Sequence, residues 1–344
     1  MKILILLIFS FFSLTVLSQD LEISTSDLGD IDTNYIEDFS DKLVLRSFLK
    51  RKFNELEIED NKNDRKILYK PNQSFSLGGG FNYKWLGIDL AFKLPQAEGQ
   101  EETFGKTKAF DFQANIYMRK FAIDVFYLKY QGYYIENSDE YGQLEDKIQD
   151  SKLESGIIGV NLNYLFNHSK FSYRAAYLQN ERQKKSAGTF LLGGYFNRNN
   201  IKSDSSIIPK DFWTEFNEAA LITNAQFTQI GAQFGYAHSL VLKKFYLTVS
   251  LGIGIGFQNA ISTSIVDETI TNNNSVTSKA QSRIAFGYNG DRLNLGFQNT
   301  TDTFILGDRD ETSANYKVGS FRFFLAYRFK APKLLEKIGH IKIF

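Results

Sequence analysis

FYLTVSLGIGIGFQ, residues 245–258, separates into two sets when alternate positions are taken. Phe245, Leu247, Val249, Leu251, Ile253, Ile255 and Phe257 are all apolar. Tyr246, Thr248, Ser250, Gly252, Gly254, Gly256 and Gln258 between them are mostly small or polar. Successive side chains of a strand point to opposite faces, so the stretch reads as one strand with an oily side and a wetter side. At fourteen residues it is about twice the usual strand length in a globular sheet. Such a strand suits a membrane barrel: lipid tails meet the oily face, and a lumen meets the other. Every backbone group is then paired around a closed ring, because hydrocarbon offers no water to an open edge.

The same alternation recurs on both sides of this stretch. Phe75, Leu77, Phe81 and Tyr83 turn at Lys84 and Trp85 into Leu86, Ile88, Leu90 and Phe92. Phe110, Phe112, Ala114 and Ile116 turn at Arg119 into Phe121, Ile123, Val125 and Tyr127. Ile158, Val160, Leu162, Tyr164 and Phe166 turn through NHSK into Phe171, Tyr173, Ala175 and Tyr177. Ile230, Phe234 and Tyr236 turn near Lys243 into the opening stretch, and Ile284, Phe286 and Tyr288 turn through Asn289-Gly290 into Leu293, Leu295 and Phe297. Asn-Gly is itself a strong hairpin signal. With a last strand over 321–329 and a first one starting at Phe53, the five hairpins imply an all-β, antiparallel up-and-down transmembrane barrel of about twelve strands, or fourteen as the alternative. SAGTFLLGGYF, residues 186–196, breaks the alternation at Phe190, Leu191 and Leu192, and reads as an extracellular extension or a segment folded into the mouth.

Turn lengths point the same way. Tight turns at Lys84, Arg119, Asn167, Lys243 and Asn289 alternate with long polar stretches at 95–107, 131–154 and 260–275, as short periplasmic turns and long extracellular loops do. Tyr83, Trp85, Tyr117, Phe121, Phe166, Phe171, Tyr236, Phe245, Tyr246, Tyr288 and Phe329 lie near turns or strand ends and read as an interfacial aromatic girdle.

Composition narrows the class further. Lys and Arg total 40 against 39 Asp and Glu, which excludes the dominating basic surface of a nucleic-acid binder. The absence of cysteine excludes disulfides, thiol catalysis and an N-terminal lipid anchor. Met1, Lys2 and the apolar run that follows read as an export signal cleaved near Ser18. The chain accordingly divides into a signal at 1–18, a periplasmic segment at 19–52, an outer-membrane barrel at 53–330 and a periplasmic tail at 331–344.

Chemistry is sparser than architecture. GIGIG and GGG sit inside strand alternation with no helix to follow, so neither is a phosphate loop. His168, His238 and His340 share no metal-ligand spacing, and no cofactor or metal is expected. The best candidates are charges on the lumen face: Asp89, Lys93, Asp111, Asp124, Arg174, Arg283, Arg322 and Arg328. They either line a passage for a polar solute or pair across the lumen and seal it. Arg182, Lys184 and Lys185 form a basic cluster in a solvated loop, able to touch lipopolysaccharide phosphates by charge. The expected partners are outer-membrane lipids and lipopolysaccharide, the barrel-insertion machinery, and an unidentified polar solute or envelope partner. A non-enzymatic channel, binding or structural role follows. An outer-membrane lipid hydrolase is the alternative, suggested by strand number alone, with no nucleophile and base to assign.

Three strings carry a family likeness: DKLVLRSFLKRKF at 41–53, LYKPN at 68–72 and LFNHSKFSYRAAYLQNERQKKSAGTFLLGG at 165–194. Together they resemble a domain-of-unknown-function family of exported Bacteroidota proteins, over nearly the whole mature chain. The resemblance implies a surface barrel in that lineage's outer membrane, and it brings no activity, substrate or catalytic residue.

Overall fold

The computed structural model describes residues 18–23, 31–84, 86–141, 147–308 and 312–332. Residues 1–17 of the export signal, Trp85 and the tail beyond residue 332 lie outside these described residues. Residues 245–258 lie within one strand, β13 (Phe245–Ser264), and its faces divide as the alternation requires. Leu251, Ile253, Ile255 and Phe257 are exposed on the outside, and Tyr246, Thr248, Ser250 and Gln258 are buried.

β13 pairs antiparallel with β12 (Ile222–Leu242) and β14 (Ile270–Asn289) along its whole length. β15 (Leu293–Asp308) and β16 (Thr312–Lys330) continue the sheet, and β16 closes on β3 (Lys42–Asp60), from Thr312 opposite Asp60 to Lys330 opposite Lys42. In the other direction β12 pairs β11 (Ala187–Lys202), then β9 (Gln149–Leu165) and β8 (Phe121–Ile135). At its upper level the ring is completed by β4 (Arg65–Lys70), which joins the end of β3 to Tyr134 and Ile135 of β8. That closed ring counts ten antiparallel strands. Below β4 the same arc holds three more: β5 (Ser76–Tyr83) on β3, β6 (Leu86–Lys93) on β5, and β7 (Lys108–Tyr117) on β8. β1 (Ser18–Ile23) lies between β6 and β7, parallel to β7. The count therefore differs from a uniform twelve or fourteen. Two short strands, β2 (Ile36–Asp38) and β10 (Glu181–Gln183), pair separately.

Two segments exchange the roles read from sequence. SAGTFLLGGYF belongs to β11, a full wall strand, and is not an extension. Phe190 and Leu192 face outward at 68% and 53% exposure, and Leu191 is buried against the segment that fills the lower lumen. That segment contains Phe171–Tyr177, which forms no strand: residues 171–180 are buried without a break, and Tyr173–Tyr177 form helix α1. Gaining one strand and losing another leaves the parity of the rims intact. The wall also starts earlier than read, because β3 begins at Lys42 and not at Phe53.

The β5–β6 connection and those at 118–120, 243–244 and 290–292 are short and share one rim, here the lower one. The long connection at 166–186 leaves the same rim and turns into the lumen, an exception to the expected pattern. At the upper rim, β8 reaches Ile135, β13 reaches Ser264 and β14 starts at Ile270, so the polar stretches there are partly strand. The aromatic girdle is likewise divided. Phe121, Phe166, Tyr236, Phe245 and Phe329 are exposed on the outer face, whereas Tyr117, Phe171 and Tyr246 are buried inside. Their inward placement follows from the apolar lower lumen they pack in.

A filled and charged lumen as the candidate functional site

The lumen is occupied in three layers, in which inward positions of the wall strands meet segments folded in from the two rims. At the lower rim, α1 and β10 form a plug. Ser172 starts the helix as an N-cap, accepting from the Ala175 amide at 3.1 Å, so the chain can turn into the lumen with its first amides satisfied. Wall residues then take the free carbonyls of the plug. Asn82 donates to Leu178 at 2.8 Å, Gln298 to Ala176 at 2.7 Å and Asn289 to Glu181 at 3.0 Å. Arg328 donates to the carbonyl of Gln179 from Nε at 2.9 Å and from Nη2 at 2.6 Å, and its guanidinium lies 4.0 Å from the centroid of the Phe39 ring. Glu181 is fully buried; Arg119 and Arg174 pair with its carboxylate, and the Ser172 hydroxyl donates to it. Two cations on one carboxylate leave the plug's buried charge compensated rather than stranded.

The middle layer is ionic. Asp89 accepts from Arg46 Nε at 2.6 Å and from Arg322 Nη1 at 3.2 Å. Asp124 pairs with Arg283, which also donates to the Tyr117 hydroxyl at 2.6 Å. Lys279 lies 2.7 Å from Asp302 and 2.6 Å from the Asn161 side-chain oxygen. Two cavities in this layer hold about 20 Å³ each, room for about one water molecule apiece.

The upper layer is apolar. Residues 203–221 fold into the mouth, where Ile207, Ile208, Phe212 and Phe216 pack with Tyr69, Tyr133, Ile135 and Phe304. The carboxylate of Asp60 fastens this segment by accepting from the Asn217 amide at 2.6 Å.

Two glycines of GIGIG, Gly254 and Gly256, serve this packing. The Tyr195 side chain lies across Gly231, Gly254 and Gly256, and a Cβ at any of them would come within 2.8 Å of its ring or hydroxyl. Lys279 Nζ in turn sits 5.4 Å from that ring's centroid. GGG has a related purpose, because a Cβ on Gly80 would fall 1.7 Å from the Asp89 carboxylate.

The lumen candidates separate accordingly. Asp89, Asp124, Arg283 and Arg322 come together in the middle layer. Asp111 pairs instead with Lys52 at 2.8 Å, and the Tyr130 hydroxyl donates to it. Lys93 is exposed at the upper end of β6. Arg174 is on the plug helix and not on a strand, and Arg328 binds carbonyls at the lower rim. Arg182, Lys184 and Lys185 occupy the short-turn rim, away from the long loops. Arg182 pairs there with Glu37 and, at 2.6 Å, with Asp291, while Lys184 donates to the Thr33 carbonyl at 2.8 Å. Hydrogen bonds from Lys244 and Arg182 hold the exposed Asp291 carboxyl down at about 2. Sequence reading missed Arg46, Lys52, Arg119, Glu181, Lys279 and Asp302. Parity would have placed Lys279 and Asp302 inside, had their strands shown stronger contrast.

Comparison with known proteins gives a family and a set of distant folds. Residues 30–329 match the family described as Domain of unknown function (DUF4421). No curated protein matches the chain. Among solved structures it is similar to the outer membrane protease OmpT from Escherichia coli, at 9% identity and TM-score 0.39, covering 87% of this chain and 100% of that one. It is also similar to the translocator domain of the autotransporter NalP from Neisseria meningitidis, at 9% identity and TM-score 0.34, covering 84% and 88%. A third similarity is to the toluene transporter TodX from P. putida, at 9% identity and TM-score 0.24, covering 85% and 91%.

Proposed function

We propose that this chain, which belongs to the DUF4421 family of unknown function, is a non-enzymatic outer-membrane barrel that is sealed and serves as a binding or structural protein. The observation that carries this reading is the filled lumen, with a plug at the lower rim, paired charges in the middle and an apolar layer above. A conducting pore needs a continuous wetted path lined by accessible charge, and here the inward charges are consumed by one another. The outward apolar face of β13 from Phe245 to Phe257 supports insertion in a bilayer, and the short-turn rim then faces the periplasm. Membrane lipids and lipopolysaccharide are its surroundings, and the insertion machinery its partner during assembly.

Two measurements test the reading together. Purified protein should require detergent and change its gel mobility on boiling, as closed barrels do. In planar bilayers the wild type should show no conductance steps, and neither should Arg283→Ala or Arg322→Ala while the plug is in place. Stable, charge-selective steps from the wild type would refute the sealed lumen.

A further inference from the structure

The barrel wall has one place where a long strand changes partner. β3 pairs β5 from Val44 to Lys50 and β4 from Leu56 to Asp60, so residues 51–55 have β16 on one side and no described strand on the other. The far edge mirrors this: β7 leaves β8 at Gln131, and β4 meets β8 only at Tyr134. A cavity of about 370 Å³ opens in this fork, within the range of about 300–1,000 Å³ that holds small ligands. Arg51, Phe53 and Glu55 from the outward set of β3 line it together with Lys52 and Asn54 from the inward set. Both faces of a strand can line one cavity only where the neighbouring strand is missing, so this cavity lies in the wall and not merely on it.

Its height is equally informative. Outward on β16, Phe329, Leu325, Phe323 and Phe321 give way to Lys317; on β3, Leu45 and Leu49 give way to Arg51 and then Glu55. The fork therefore sits at the upper margin of the oily belt, where headgroups meet acyl chains. Its chemistry is graded in the same sense. Phe75 meets Phe321 edge-on at 5.7 Å, and the Arg51 guanidinium lies 5.6 Å from the Phe75 ring centroid. Above them, Lys70 is 3.1 Å from Glu136 and Lys317 is 3.4 Å from Glu55. With Lys52 neutralised by Asp111, Arg51, Lys70 and Lys317 bring three cations to the cavity against the two carboxylates of Glu55 and Glu136, an excess of one positive charge beside an apolar margin.

Resting on the reading of the barrel as membrane-embedded, we propose that this fork binds one amphipathic lipid with an anionic phosphate headgroup. Arg51, Lys70 and Lys317 take the phosphate, and Phe75 and Phe321 cover the first methylenes of the chain. A phosphate can form charge-assisted hydrogen bonds with several cations at once, and the rings keep the site from favouring a freely soluble anion.

The test is native mass spectrometry of the full chain in detergent with dioleoyl phosphatidic acid, dioleoylglycerol or inorganic phosphate. The wild type should retain one phosphatidic acid and neither of the other two. The double variant Arg51→Ala, Lys317→Ala should retain it about ten-fold less or worse, the loss expected for removing charged hydrogen bonds. Glu55→Gln, which releases Lys317, should retain more. Equal retention by the double variant, or equal retention of dioleoylglycerol, overturns the site; displacement of the lipid by inorganic phosphate alone overturns the lipid in favour of a free anion. Heat-modifiable migration of each variant separates loss of the site from loss of fold. A wild type that stays soluble without detergent would overturn the membrane reading itself.

Discussion

Arg328 places two guanidinium nitrogens on the single carbonyl of Gln179, at 2.9 and 2.6 Å, and so ties the last wall strand to the plug. The same side chain also donates to the carbonyls of Gly290 and Glu181 and, at 2.8 Å, to Asn289 Oδ1. Few side chains can serve so many acceptors, and a lysine lacks the planar fork to do so. Arg328→Ala should weaken the plug by about 3 kcal/mol, given roughly 1.5–3 kcal/mol for a charged hydrogen bond and the buried carbonyls left behind. Arg328→Lys should fall between the two. Limited proteolysis across 179–185 reads the effect, and unchanged cleavage in the alanine variant would refute the clamp.

The middle layer makes a sharper prediction, because single and double substitutions should disagree. Arg283 is buried with its charge on Asp124. Asp124→Ala alone should cost about 3–5 kcal/mol by stranding that cation, while Asp124→Leu combined with Arg283→Met should cost far less or stabilise, as replacement of a whole buried pair often does. The midpoint of denaturant unfolding, followed by the folded gel band, separates the cases. A double variant as damaged as the single one would show that the layer's geometry matters more than its charge balance.

How far the sequence could be read depended on what each face meets. On β13 lipid outside and polar groups inside make opposite demands, so the alternation of residues 245–257 was decisive. In the lower lumen protein meets protein, and Leu191 turns apolar on the inner face, which disguised β11 as something other than a wall strand. Phe171, Tyr173, Ala175 and Tyr177 mimic a strand period because the plug is buried on every side and carries no wet face to betray the helix. Asp89, Asp124, Arg283 and Arg322 are buried in the middle layer, on the side that strand parity assigns them. Their partners were harder to see. Arg46 lies in a stretch assigned outside the barrel, and Lys279 is flanked by outward Ser278 and Ala280, too weakly apolar to mark a face.

Tyr195 explains the glycines of the decisive stretch and gives a graded series. Its ring sits 2.8 Å from the Cβ position of Gly254 and its hydroxyl 2.7 Å from that of Gly256, and the hydroxyl has no hydrogen-bond partner among the described residues. Tyr195→Phe should therefore change stability by less than about 0.5 kcal/mol. Tyr195→Ala should cost about 3–5 kcal/mol through lost burial and the cavity left behind. Gly256→Ala should cost about 1–3 kcal/mol, since the added methyl meets both the Tyr195 hydroxyl at 2.7 Å and the Ile230 carbonyl at 2.4 Å. Thermal loss of the folded gel band orders the three, and a tolerated Gly256→Ala beside a damaging Tyr195→Phe would contradict the packing.

The clasp at the lower rim should respond to acid in a defined window. Asp291 lies in the turn between β14 and β15 and accepts Lys244 at 2.8 Å and Arg182 at 2.6 Å, contacts that depress its pKa from 3.8 to about 2. A carboxylate with a depressed folded-state pKa contributes its stability above the unfolded value and loses it as pH falls toward the folded one. The contribution of Asp291 is thus intact above about 4 and fades as pH drops through about 2. Because the group is exposed, its contribution should be small and weakened by salt. Arg182 belongs to β10, so losing this contact should free the rim end of the plug before the wall itself yields. Carboxyl NMR titration should give the low pKa in the wild type and a normal one in Arg182→Ala, Lys244→Ala. An ordinary value in the wild type would mean that the clasp does not form in solution.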